Sequence, residues 1–182
     1  MSHESGKLFA VLLGGRAPGC RVELHDVAFA IGQSLEDIHE SLLSQWFGEP
    51  DGLHVDAYAV VDQVEGYRVR LAEQAPDDQD QHLYFINIGG YRAGEFAEQH
   101  AYALLAARNK SEAKARAKKV LLRGHQSIHK DDLFDVDDVL ELRTAGDAHV
   151  HLHPDPEATA PEVINGYFPL PRTTIEAWLK KR

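Results

Sequence analysis

The string Gly-Gly-x3-Gly-x3-Glu-x-His occurs twice in this chain, as Gly14, Gly15, Gly19, Glu23 and His25 and again as Gly89, Gly90, Gly94, Glu98 and His100. A duplication of this kind predicts two similar halves. Each half would bring one Glu-x-His pair and one glycine loop toward a shared pseudo-twofold axis.

The likeness extends beyond the string. At the offset of 75 that relates Gly14 to Gly89, the apolar run Leu8 to Leu13 falls on Leu83 to Ile88. At the same offset His54-x-Asp56 matches His129-x-Asp131, and Val61-Asp62-x-Val64 matches Val136-Asp137-x-Val139. A long unit used only twice argues against a solenoid, which needs more and shorter units to cover its core. The expected organisation is a first repeat domain over 7–72, a second over 83–153 and a tail over 154–182.

A chain of 182 residues buries about 70 % of its unfolded surface, enough for one compact domain or two small ones. The formal charge of −10 favours solubility and opposes nucleic-acid or acidic-membrane partners. One cysteine, Cys20, forms no internal disulfide, and no apolar run approaches the ~20 residues of a membrane span. A cytoplasmic protein with no nucleic acid and no membrane partner is the expectation.

Apolar periodicity sets the elements. Residues 7–13 read as a strand, and the chain then reverses through a glycine loop, 14–21. In the next strand Glu23, His25, Val27, Phe29 and Ile31 share one face by alternation, in line with the core; Glu98, His100, Tyr102, Leu104 and Ala106 do likewise. Ser34 as N-cap predicts a helix over 35–47, and its counterpart starts near Asn109 to Ser111 and runs to about Arg123. Strands over 56–62 and 67–72 should pair around Glu65-Gly66, and 133–142 and 148–153 should match them. The Pro-rich tail should wrap over the surface and end in a helix, 174–181, anchored by Ile175, Trp178 and Leu179. The fold class is α+β: two tandem strand-strand-helix-strand-strand repeats with mixed sheets and pseudo-twofold symmetry.

Leu8 to Gly19, with Gly14-Gly15-Arg16-Ala17-Pro18-Gly19 and then Glu23-Leu24-His25-Asp26, resembles the bacterial domain-of-unknown-function family 1543, whose members carry one or two such domains. The resemblance covers 8 to about 71 well and 83 to about 152 more loosely. The second copy reads Tyr91-Arg92-Ala93-Gly94 in place of Arg16-Ala17-Pro18-Gly19. The resemblance implies tandem domains and carries no activity.

Four features bear on chemistry. If an axis brings the strand ends together, Glu23, His25, Glu98 and His100 form a cluster able to hold Zn, Mn or Fe, or to act as general bases without metal. The same residues serve equally as structural partners of the glycine loops. Second, Gly14, Gly15, Gly89 and Gly90 at positive φ would offer N–H groups, and Arg16 and Arg92 charge, to a small anionic ligand. A tight turn explains the glycines as well. Third, His149, His151 and His153 alternate along a strand and either chelate a metal or form its polar face. Fourth, Lys110, Lys114, Arg116, Lys118, Lys119 and Arg123 make the second helix basic, a solvated face or a contact for an acidic surface. The His-x-Asp pairs either extend the cluster or stabilise turns. Two function classes follow: a ligand- or metal-binding protein with its site between the repeats, or a non-catalytic assembly protein, such as a homodimer, with structural histidines.

Overall fold

The computed structural model describes residues 6–77, 79–90, 94–121 and 134–182. Strand β1 (Lys7–Arg16) is followed by β2 (Leu24–Gly32), and the two pair antiparallel from Lys7↔Gly32 to Gly15↔Leu24. Ser34 then starts a helical turn. Its Oγ accepts from the Asp37 N–H at 3.4 Å while the Asp37 carboxylate accepts from the Ser34 N–H at 3.0 Å, a reciprocal cap that leads into α1 (His39–Gln45). Next, β3 (Glu49–Val60) pairs antiparallel along the other edge of β1. Thus β2 and β3 run the same way with β1 between them, and α1 crosses over the central strand.

Two short elements, β4 (Gln63–Val64) and β5 (Tyr67–Ala72), form a hairpin around Glu65 and Gly66, as expected; Gly66 has φ +85°. The second copy supplies β6 (His82–Gly90), β7 (Gln99–Ala107), α2 (Lys110–Leu121), β8 (Phe134–Leu142), β9 (Thr144–Ala145) and β10 (Ala148–Pro154). The tail adds β11 (Val163–Pro169) and α3 (Arg172–Lys180). Contacts divide the chain into one unit of Met1–Asp62, Ala145–Asp147 and Pro161–Arg182 and another of Gln63–Thr144 and Ala148–Ala160.

The α+β class holds, with three corrections. The sheets run β11-β3-β1-β2, β4-β5-β10-β9 and β7-β6-β8, and the described pairings are antiparallel throughout rather than mixed, because the helical crossovers span two strand widths. β3 does not pair with β5: its two edges are taken by β1 and β11, and β5 pairs instead with β10. The tail does not merely wrap, since β11 extends the first sheet.

In the first unit the core lies between that sheet and its helices. Phe9, Val11 and Leu13 of β1, Ala28 and Ala30 of β2, and Ile38, Leu42, Leu43 and Trp46 bury together with Ile175 and Trp178 of α3. Leu24 packs on the same side. By alternation Glu23 and His25 therefore lie on the opposite face of β2, which corrects their expected alignment with the core. The small side chains of Ala28 and Ala30 let a helix approach the core face of β2; Val27, Phe29 and Ile31 point the other way, with His25. In the second unit Leu105 and Ala107 of β7 bury with Tyr84, Ile86, Ile88, Ala113 and Ala117, again leaving His100 on the other face.

Candidate functional site

Gly14 is the centre of the site. Across the sheet it stands beside His25 of β2 and His54 of β3, so three neighbouring strands contribute an imidazole, a bare backbone and an imidazole in one row. A Cβ on Gly14 would meet His54 Nε2 at 2.5 Å and Asp56 Oδ2 at 2.6 Å, so the polar groups occupy the space a side chain would fill. Asp56 lies where the β1–β3 register slips: Leu13 faces Val55 and Leu12 faces Ala57, which leaves Asp56 as the bulged residue.

Four side chains converge there. His25 Nε2 is 3.0 Å from Asp56 Oδ2 and 3.6 Å from Glu23 Oε2. His54 Nε2 is 3.2 Å from Glu23 Oε1 and 3.3 Å from Asp56 Oδ1. Glu23, His25 and Asp56 offer one donor atom each, all within 4.8 Å of one another, and His54 meets both carboxylates from the β3 side. The His54 side chain is only 4 % exposed, whereas those of Glu23 and His25 are near 45 %, so water reaches the cluster from the β2 side. Tyr167 of β11 lies against His54, ring centres 4.6 Å apart.

His54 is engaged at both ring nitrogens. Its Nδ1 is 2.9 Å from the Gly52 carbonyl oxygen, which only accepts, so that nitrogen carries the proton. A lone pair on Nε2 would then face two carboxylate oxygens, three acceptors turned on one another. A positive charge among them, a metal ion or a second proton, removes the conflict. Each imidazole meets its own pair of carboxylate oxygens, Oε2 and Oδ2 at His25 and Oε1 and Oδ1 at His54, so both carboxylates bridge the two histidines. An imidazole fixed through Nδ1 to a backbone carbonyl is also the usual outer support of a metal-bound histidine.

The other expected site residues are placed differently. Gly14, Gly15, Gly89 and Gly90 are strand residues paired across β1 or β6, without the positive φ of an anion-binding loop; Gly19 and Gly94 hold that conformation, each at φ +84°. Gly15 serves packing instead, since a Cβ there would meet the Trp46 ring at 2.8 Å. Arg16 ends β1 opposite Glu49. In the second copy His100 stands beside Gly89, with Nε2 3.9 Å from Glu98 and Nδ1 3.1 Å from Asn87 Oδ1. The partners described for each Glu-x-His pair come from its own copy. Arg92, His129 and Asp131 lie outside the described residues.

Strand register revises the match between the copies. β1–β2 and β6–β7 keep the offset of 75, Lys7↔Gly32 against His82↔Ala107. After the helix, however, Gly89 faces Asp135 where Gly14 faces His54, and 135 exceeds 54 by 81. The helix and the segment after it are therefore six residues longer in the second copy, and the sequence match of His54 to His129 gives way to Asp135. The third histidine feature is not gathered into a chelating set. His151 Nε2 is 2.8 Å from the Gln74 carbonyl oxygen and its ring stacks on His153, and among the described residues Glu23, His25 and Asp56 form the one mutually close group of three donors. Tyr167 carries no sequence signal, because β11 lacks alternation.

The comparisons agree with this architecture. A family model described as Domain of Unknown Function (DUF1543) matches residues 20–71 and again 95–145. The crystal structure of a protein Il1583 from Idiomarina loihiensis is similar at 32% sequence identity and a TM-score of 0.70, covering 92% of this chain and 99% of that one. No curated protein matches the chain. No described helix is long and apolar enough to cross a membrane. With more than half its length matched by two copies of one model, the chain belongs to the family of the domain of unknown function 1543, carried here in tandem.

Proposed function

We propose that the chain binds a divalent transition metal in its first copy, through Glu23, His25, Asp56 and His54. The supporting observation is the set of acceptors at His54: with Nδ1 committed to Gly52, Nε2 and two carboxylates face one another at 3.2 and 3.3 Å. Two imidazoles with two carboxylates suit zinc, iron, manganese, cobalt or nickel, the choice resting on geometry and supply. On this reading the two copies, 7–72 and 83–153, descend from one duplicated domain with pseudo-twofold symmetry, and the first copy needs no donor from the second. Without a metal the same four groups form a protonated imidazole–carboxylate network that holds β2, β1 and β3 in register, the non-catalytic alternative.

Metal analysis of untagged protein separates the two. The expected result is one equivalent of transition metal per chain, lost on dialysis against a chelator, restored on readdition, and absent from His54→Ala and Asp56→Asn variants that keep their circular dichroism. Wild-type protein that holds no metal after exposure to zinc, manganese, iron and cobalt in turn overturns the reading and leaves the structural network.

A further inference from the structure

The tail brings an aromatic residue to this site. β11 pairs with β3 through Asn165↔Ala57 and then Phe168↔Val55, so two residues, Gly166 and Tyr167, stand opposite the single Asp56. Phe168 turns into the core against Tyr58, ring centres 5.9 Å apart, and Gly166 allows it, since a Cβ there would meet the Phe168 ring at 2.9 Å. Tyr167 is thereby left on the cluster side, against His54, and is itself 68 % exposed. A phenol on the β11 side of the buried imidazole can donate one hydrogen bond to a ligand that enters from the water-facing β2 side and reaches across His54.

Charge limits what that occupant is. Glu23 and Asp56 already cancel the two charges of a divalent ion, and the chain around them carries −10. A multiply charged anion would add negative charge to a neutralised centre. The expected binding of a small anionic ligand by glycine N–H groups loses its donors as well, because Gly14 and Gly15 are strand residues.

We propose that the exchangeable ligand of this centre is an oxygen donor carrying at most one negative charge, a carboxylate or carbonyl oxygen, held between the metal and the Tyr167 hydroxyl. This rests on the metal reading above. The centre is tested as the cobalt(II)-substituted protein, its visible spectrum titrated with acetate and with inorganic phosphate, for wild type and Tyr167→Phe. Acetate should perturb the wild-type spectrum at concentrations at least tenfold below phosphate. Tyr167→Phe, which keeps the ring on His54, should weaken acetate about five- to tenfold while cobalt affinity stays within twofold. Phosphate binding as tightly as acetate, or acetate binding Tyr167→Phe as it binds wild type, overturns the proposal with the metal reading intact. Wild-type protein that takes up no cobalt overturns this proposal through the centre it depends on.

Discussion

Gly14 and Gly15 are adjacent and chemically identical, yet they face opposite sides of one strand and do different work. Gly14 leaves room for His54 and Asp56, and Gly15 leaves room for Trp46. Gly14→Ala should therefore lower metal affinity at least tenfold, because His54 is held by Gly52 and covered by Tyr167 and has little room to retreat. Gly15→Ala should leave metal affinity nearly unchanged and cost about 1–3 kcal/mol of stability through overpacking against the indole. Chelator competition together with urea unfolding of both variants checks the contrast. His39 makes a separate pH prediction. Burial lowers its pKa from the ordinary 6.5, with nearby Glu36 acting the other way. Below about pH 6.5 the unfolded chain takes up a proton that the folded chain resists, so this residue makes stability fall as pH drops toward its folded value. His39→Leu should lose less melting temperature than wild type between pH 7 and pH 5.5.

At the level of elements, what could be read from sequence followed how each element is buried. The β1 run, the Ser34 cap and the Glu65-Gly66 turn rest on local chemistry and stand where expected, while β1 continues through Gly14 and Gly15 to Arg16, so the reversal begins three residues later than expected. β3 was harder to read: Pro50, Asp51 and Gly52 resemble a turn, although the strand begins at Glu49 and so takes in both His54 and Asp56. β11 was missed because an edge strand pairs through its backbone and its side chains are mostly exposed, so no period marks it. The final helix was legible through Ile175 and Trp178, which are buried, but Leu179 is half exposed and does not anchor as expected. Trp178→Ala should therefore cost about 3–5 kcal/mol, as a large core side chain, with loss of the indole N–H bond to Ser44 Oγ at 3.2 Å. Leu179→Ala should stay within about 0.5 kcal/mol. Urea denaturation of the two variants measures the difference.

For the whole molecule the repeat was legible as a string, and misleading as a site. The motif suggested that Glu23, His25, Glu98 and His100 act together, because sequence identity between copies is easily read as shared chemistry. Strand pairing supplied what the string lacked: the distance in space from His25 to His54 and Asp56, residues about thirty positions along the chain. It also showed that the copies drift apart after the helix, with Asp135 opposite Gly89 where the first copy has His54 opposite Gly14. A site assembled by the first copy alone and one shared between copies make opposite predictions. For the first, His25→Ala removes a donor 3.0 Å from Asp56 and should abolish the transition-metal equivalent. His100→Ala alters a side chain whose described partners are Glu98 and Asn87, and should leave that equivalent bound with affinity within about twofold of wild type. For a shared cluster, both variants would lose it together. Metal content by mass spectrometry under native conditions, read on the two single variants and their double, decides between them: retention in His100→Ala assigns the centre to the first copy, and parallel loss returns it to both.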